Sequence, residues 1–257
     1  MSGQPYLDVT AIHKSFGKNH VLRGVSLSVD KGDSLVILGG SGAGKSVLMR
    51  HLVGLIHPDE GSVCVEGVNL ASLDRGAMQK FRRNMGMTFQ EGALFDSMTV
   101  YENIAFPLRR HHRRMPEKDI RHRVEECLDM VGMPSIAEYL PSELSGGMRR
   151  RVGFARGIAL KPEFLLFDEP TTGLDPIMTT IISDIIVNLR ENLNATTVTI
   201  THDIRSAKVI ATQVAMLFKG QVIHQAPVAG FFESDNPVVS QFVQGVAEGP
   251  ATEALLK

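Results

Sequence analysis

Two cysteines in 257 residues, Cys64 and Cys127, sit in unrelated contexts, without a C-x-x-C pair or a Cys/His cluster. That excludes a disulfide framework and a zinc module, and it fits a reducing cytoplasm. Excess charge of either sign is also missing. Lys and Arg number 27 against 28 Asp and Glu, and a formal net charge of -1 gives no reason to expect nucleic acid as a partner. No uncharged apolar run is long enough to cross a bilayer, and the start, MSGQPYLDVT, lacks a basic stretch followed by an apolar one. Any action at a membrane is therefore expected to run through a partner. Tandem repeats and low-complexity linkers are absent as well. A chain of this length, 43% hydrophobic, reads as one large α/β domain with room for an inserted subdomain.

What is present has a clear order. Short alternating runs (Leu7, Val9; Val25, Leu27, Val29) predict strands, and the continuous apolar strand Ser34–Leu38 runs straight into GGSGAGKS. Lys45 to Gly54 reads as a helix, with Val47, Leu48, Leu52 and Val53 apolar and Gly54 closing it. Thr99-Val100-Tyr101-Glu102 carries the capping-box pattern, and Pro116 opens a helix with Ile120, Val124, Cys127, Leu128 and Val131 on one face. Residues 95–160 are therefore read as a helical insertion. The α/β alternation returns with a strand at Phe164–Phe167, a helix around Ile177–Asn192, a strand at Thr196–Thr201, a further helix and a hairpin across Lys219-Gly220. Strands alternating with helices predict a mainly parallel sheet. The resulting division is a catalytic core at 7–94 and 161–225, the insertion at 95–160, and a C-terminal extension at 226–257, in which Gly245–Thr252 is expected to be loosely structured.

Gly39, Gly44, Lys45 and Ser46 match G-x-x-x-x-G-K-S/T, with Gly40, Ser41, Gly42 and Ala43 as the small residues between. Such a loop lets backbone N–H groups curl around phosphates while the following helix points its positive end at them. Lys45 is expected to reach the β- and γ-phosphates and Ser46 to ligate magnesium. The run Phe164-Leu165-Leu166-Phe167 would deliver two carboxylates at a strand end, Asp168 suited to magnesium and Glu169 to the attacking water. A strand end followed by Asp-Glu is by itself more often a capped end than a site; downstream of a phosphate loop the catalytic reading prevails.

At Leu144-Ser145-Gly146-Gly147-Met148 the sequence resembles the ABC ATPase family, whose signature is a short Ser-Gly-Gly loop at a helix N-terminus. Met148 replaces the usual glutamine, a departure expected to weaken one polar contact. Other positions agree in order. Gln90 is similar to the Q-loop glutamine, a magnesium ligand; Gly173-Leu174-Asp175 to the D-loop; His202 to the switch histidine; and Phe16 to the adenine-stacking aromatic. The resemblance spans Leu7 to Gln225. It implies a P-loop NTPase fold with a mainly parallel core, an antiparallel β subdomain and an inserted helical subdomain. It also implies ATP and Mg2+ as cofactors, and a head-to-tail dimer of two copies in which the signature of one faces the P-loop of the other.

The segment Phe89–Arg109, with LSGGM and EPTTGLDP, resembles the Mla-type branch, which energises phospholipid transport across the Gram-negative envelope. That resemblance implies a multispanning permease, an Mce-domain lipid-binding protein and a STAS-domain regulator as partners, with the chain peripheral on the cytoplasmic face of the inner membrane. Another ABC importer or exporter, for amino acids or for solvents and toxins, is the alternative; a non-transport ABC ATPase and a metabolic P-loop kinase are more distant ones. A kinase would lack the signature, and the non-transport relatives carry a long coiled coil or two cassettes. The run Arg109–Arg114 reads as solvated surface, with anionic headgroups or acidic permease loops as its other reading. Phe231, Phe232, Val238, Val239, Phe242 and Val243 lie past the core and are expected to pack on a neighbouring subunit.

Overall fold

The structure, a computed structural model, describes residues 4–88 and 92–255. Gln90 lies outside the described residues. Two compact units divide the chain, one formed by Met1–Ser72 with His202–Lys257 and the other by Leu73–Thr201.

In the first unit β1 (Leu7–Phe16) and β2 (Asn19–Val29) pair antiparallel, setting Leu7 against Val29 and Val9 against Leu27. Alternation buries Leu7, Val9, Val25, Leu27 and Val29 on one face, as the pattern predicts. β3 (Ser34–Leu38) is buried along its whole length, the condition that lets a strand be apolar without alternation. α1 (Lys45–Leu52) follows the loop that leaves β3, and β4 (Glu60–Val65) and β5 (Val68–Asn69) complete an antiparallel sheet in the order β2-β1-β4-β5.

The second unit begins with α2 (Arg75–Arg83), capped by the Asp74 side chain, and β6 (Met85–Thr88). Three helices follow: α3 (Val100–His111), α4 (Glu117–Met130) and α5 (Gly146–Gly157). The Thr99 capping box is formed in both directions, with Glu102 N–H donating to Thr99 Oγ1 at 3.1 Å and Thr99 N–H to the Glu102 carboxylate at 2.8 Å. Ile120, Val124, Cys127, Leu128 and Val131 are all buried, and burial pushes the Cys127 thiol up to about 11. β7 (Phe164–Asp168), α6 (Pro176–Leu193) and β8 (Thr196–Thr201) close the unit. β7 lies between β6 and β8, parallel to both, and Phe167 packs edge-on against Phe154 of α5 at 5.2 Å.

The chain then returns to the first unit with α7 (Ile204–Ile210), β9 (Gln213–Phe218) and β10 (Gln221–Pro227). β9 is parallel to β3 and antiparallel to β10, so this sheet is mixed. The expected hairpin turns on Lys219 and Gly220, both left-handed with φ of 48° and 78°, the conformation of a two-residue turn matched to strand twist. α8 (Val228–Phe231), α9 (Pro237–Gln244) and α10 (Pro250–Leu255) end the described chain. Of the stretch Gly245–Thr252, expected to be loose, 246–249 carry no helix or strand, whereas Pro250–Thr252 belong to α10. Gln241 accepts from Ala251 N–H at 2.7 Å and donates to Thr252 Oγ1 at 2.9 Å, which supplies from a distance the partners that local composition lacks. Phe231 and Val239 are buried within the chain, so neither is available for a neighbouring subunit.

Candidate functional site

The first unit carries the phosphate loop, Phe16 and His202; the second carries Asp168, Glu169, the Ser-Gly-Gly signature and Gly173-Leu174-Asp175.

No side chain caps α1, and its N-cap is Gly44 at φ 105°, a backbone open only to glycine. A helix start without a side-chain cap is the kind of terminus at which anions bind. Lys45 Nζ donates to the carbonyls of Gly39 at 2.7 Å and Gly40 at 3.1 Å, holding the ammonium over its own loop. The loop is braced from outside by Gly220 N–H, which donates to Ala43 C=O at 3.1 Å, and from within by Ala43 N–H, which donates to Gly40 C=O at 3.3 Å. At Gly39 a Cβ would stand 2.5 Å from the Leu217 carbonyl of β9, so strand and loop approach too closely for any side chain. Ser41, Gly42 and Ser46 are exposed. Phe16, the last residue of β1, is 49% exposed, which removes it from the core and leaves a ring face available for stacking.

In the second unit Asp168 is the final residue of β7, half-buried and in register with Ile200. Glu169 follows with φ 47°, a left-handed backbone unusual for a residue with a side chain. Three contacts impose it: Glu169 N–H donates to Ile200 C=O at 2.8 Å, its own carbonyl accepts from Thr172 N–H at 3.3 Å, and its Oε2 accepts from Thr172 Oγ1 at 2.8 Å. Strain of this kind, roughly 1–3 kcal/mol, persists only where surroundings over-determine it and concentrates at reactive positions. His202, exposed, follows the last residue of β8, and the next residue, Asp203, pins the chain by capping α7 through Arg205 and Ser206 N–H.

Ser145 is the N-cap of α5, its Oγ accepting from Met148 N–H at 3.3 Å, while Ser145 and Gly146 are both exposed. Gly147 is buried, and a Cβ there would meet Met178 Cε at 2.6 Å. Leu144 is buried, its carbonyl accepting from Arg149 at 2.7 Å. Gly173 takes φ 77°, Leu174 N–H donates to Thr171 C=O, and Asp175 caps α6 through Ile177 and Met178 N–H.

Three buried or half-buried polar side chains that hold loops of this unit, Arg150, Arg156 and Asn103, carry no sign of that role in the motifs. Buried Arg150 of α5 donates to Pro170 C=O at 2.7 Å and Thr172 C=O at 3.0 Å, fastening the signature helix to the turn that follows Glu169. Arg156 donates to the carbonyls of Gly92 and Ala93 at 2.9 and 2.8 Å and lies 5.5 Å from the Phe95 ring. Buried Asn103 holds the same loop, accepting from Phe95 N–H and donating to Phe95, Met98 and Thr99 carbonyls. The loop thus presents the Phe95–Phe106 pair, centroids 5.0 Å apart and each about two-fifths exposed. Consecutive arginines 149–151 were the available sign, since an arginine on the apolar side of a helix is seldom buried without partners.

A family model described as ABC transporter matches residues 22–172. The chain is 38% identical over 244 residues to a protein of Mycobacterium tuberculosis named a probable ribonucleotide transport ATP-binding protein, covering 95% of this chain and 68% of that one. It is 36% identical over 244 residues to the intermembrane phospholipid transport ATP-binding protein MlaF of Escherichia coli, covering 95% and 90%. Among solved structures it is similar to a dimeric ATP-binding cassette in a post-hydrolysis state bound to ADP and phosphate, with a TM-score of 0.79, 31% identity, and 88% and 100% of the two chains covered. CbiO1 of Clostridium perfringens, part of an ABC transporter complex, superposes with a TM-score of 0.84 at 28% identity over 93% and 95% of the chains.

Proposed function

This chain belongs to the ABC transporter family as an ATP-binding, ATP-hydrolysing subunit, and from that premise we propose that two copies sandwich ATP head to tail and energise phospholipid transport through a permease. The observation that supports the shared-site reading is the second phosphate cradle: Ser145 and Gly146 stand exposed at the start of α5. Each site would then take Phe16, the Gly39–Ser46 loop, Asp168, Glu169 and His202 from one copy, and Leu144–Met148 with the D-loop residues Gly173, Leu174 and Asp175 from the other.

Within that site Lys45 and the α1 N–H groups bind the phosphates. Glu169, its carboxylate oriented by Thr172, takes a proton from the attacking water, and His202 steadies the γ-phosphate. The magnesium donors proposed, the Ser46 hydroxyl, the Asp168 carboxylate and the Gln90 amide, are all oxygen and suit a hard cation that offsets phosphate charge.

No helix among the described residues is long and apolar enough to cross a membrane, so a peripheral place on the inner membrane through the permease is the matching localisation. Phe95 and Phe106 supply the apolar surface such a partner would meet, with Mce-domain and STAS-domain proteins completing the assembly. The boundaries 95–160 for the helical insertion and 226–257 for the extension are retained as part of this reading. Relatives with two different cargo names leave ribonucleotide transport as the second reading. The phospholipid reading is preferred because the Mla-type relative is matched over 90% of its own length.

Glu169→Gln tests the chemistry. It should keep ATP binding, slow turnover at least ~100-fold and trap a dimer on gel filtration, because only the water-orienting group is lost. Turnover near that of the native chain would remove Glu169 from its role. Lipid mass spectrometry on the detergent-solubilised complex, against nucleotide analysis of the same sample, decides the cargo.

A further inference from the structure

We propose that the second unit holds a separate anion site, a cavity of about 1120 Å³ at the ends of α2 and α3 that takes a phosphate-bearing ligand. Seven Arg and Lys side chains line it against two carboxylates, Asp119 and Glu126. Glu126 is already engaged, by Arg123 at 2.8 Å and His122 at 3.2 Å. By contrast Arg83, Arg110, Arg113 and Arg114 make no ion pair among the described residues. Arg83 and Arg110 bear on one imidazole: burial first, and then these two charges, hold His111 below the usual histidine range.

Helix dipoles offer the simpler account for part of this, since a cation in the last turn of a helix is favoured on its own. They account for Arg83 and Arg110 singly. They do not account for Arg113, Arg114 and Lys161, which lie outside helices and line the same cavity. Lys161 does so from a left-handed backbone, φ 54°. Like charges gathered in a concave space raise the local potential and concentrate anions. Phosphate oxygens suit guanidinium forks, and Leu108, Ala159 and Leu160 provide an apolar wall for the body that bears the phosphate. A lipid headgroup and a free phosphate compound share this chemistry.

The assay reads binding, never hydrolysis, so it fails or succeeds independently of the nucleotide reading. The full-length chain carrying Lys45→Ala, which silences the phosphate loop, is mixed with phosphatidylglycerol/phosphatidylcholine vesicles, with phosphatidylcholine vesicles, and with soluble glycerol phosphate and inorganic phosphate. Binding is expected to the anionic vesicles or the soluble phosphates and not to phosphatidylcholine. Adding Arg110→Ser, Arg113→Ser and Arg114→Ser together should weaken it at least tenfold. Vesicle binding alone identifies a headgroup; equal binding of soluble phosphates identifies a free compound. The same variant should keep the circular dichroism spectrum and cooperative thermal unfolding of the Lys45→Ala chain, showing that it is folded. Should it fail to fold, Arg83→Ser with Lys161→Ser, on other elements, replaces it with the same expected loss. Absence of binding to every probe, undiminished binding by the folded variant, or binding of polyglutamate alone would overturn the proposal.

Discussion

Thr172 donates its hydroxyl hydrogen to Oε2 of Glu169 at 2.8 Å, within the turn that gives Glu169 its left-handed backbone. The carboxylate is thereby oriented by a neighbour three residues on, and its position does not depend on a rotamer chosen in solvent. Thr172→Val keeps the shape and removes the hydroxyl. Turnover should fall about 5- to 10-fold with the KM for ATP little changed, the signature of an orienting contact of about 1 kcal/mol, and Thr172→Ser should restore most of it. Steady-state kinetics on the three proteins provides the check.

Arg150 is buried and donates to two backbone carbonyls across the turn that follows Glu169. Arg150→Ala leaves Pro170 C=O and Thr172 C=O without this donor, costing about 2–3 kcal/mol of stability in urea unfolding. Hydrolysis should drop with it, since the turn that aligns Glu169 is loosened. An Arg150→Lys protein should recover little, because an ammonium cannot reproduce the planar two-point contact.

Gly39→Ala places a methyl group 2.5 Å from the Leu217 carbonyl, a backbone atom that cannot swing aside. Strand and loop must separate, at a cost of about 1–3 kcal/mol in thermal unfolding, and ATP affinity should fall because the loop moves with its first residue. Gly40→Ala meets nothing within 4 Å and should be far milder in the same assay.

His51, on α1, is buried and donates from Nδ1 to Val47 C=O at 2.8 Å, while Nε2 has no partner among the described residues. Desolvation is the main cause that lowers its proton affinity, with Lys14 adding to it and Asp59 and the Val47 and His57 carbonyls opposing. Below pH ~6.5 the unfolded chain binds a proton that the folded chain refuses. Stability therefore declines as pH falls from that value toward the lower folded one, by at most about 1.4 kcal/mol per pH unit from this group. Melting temperatures at pH 7.0, 6.0 and 5.5 should show a shallower decline in His51→Met than in the native chain.

Much of the site is legible along the chain because its parts are contiguous. The phosphate loop, the Asp168-Glu169 strand end and the Ser145-Gly146-Gly147 helix start are each written within a few residues, and each forms the local structure its residues favour. Arg150, Arg156, Asn103 and Thr172 escape such reading because their partners are carbonyls and carboxylates that any sequence could supply; only folding selects which. Ala251 and Thr252 escape it for the same reason, being held by Gln241 and not by their own composition. Net charge conceals in turn what the fold gathers: a chain at -1 overall still assembles seven cations around one cavity.

Taken by itself, the order of residues determined the chemistry of this protein: phosphate binding, hydrolysis and the family that performs them. Backbone conformation at a glycine loop and charge at a strand end are short-range properties, set by neighbours one to four residues apart. Tertiary structure alone decided what holds those groups in working geometry and where charge is concentrated, because hydrogen bonds from Arg150 to Thr172, or a shared cavity between Arg83 and Arg113, join residues separated by 20 to 30 positions of chain, a separation that only packing closes.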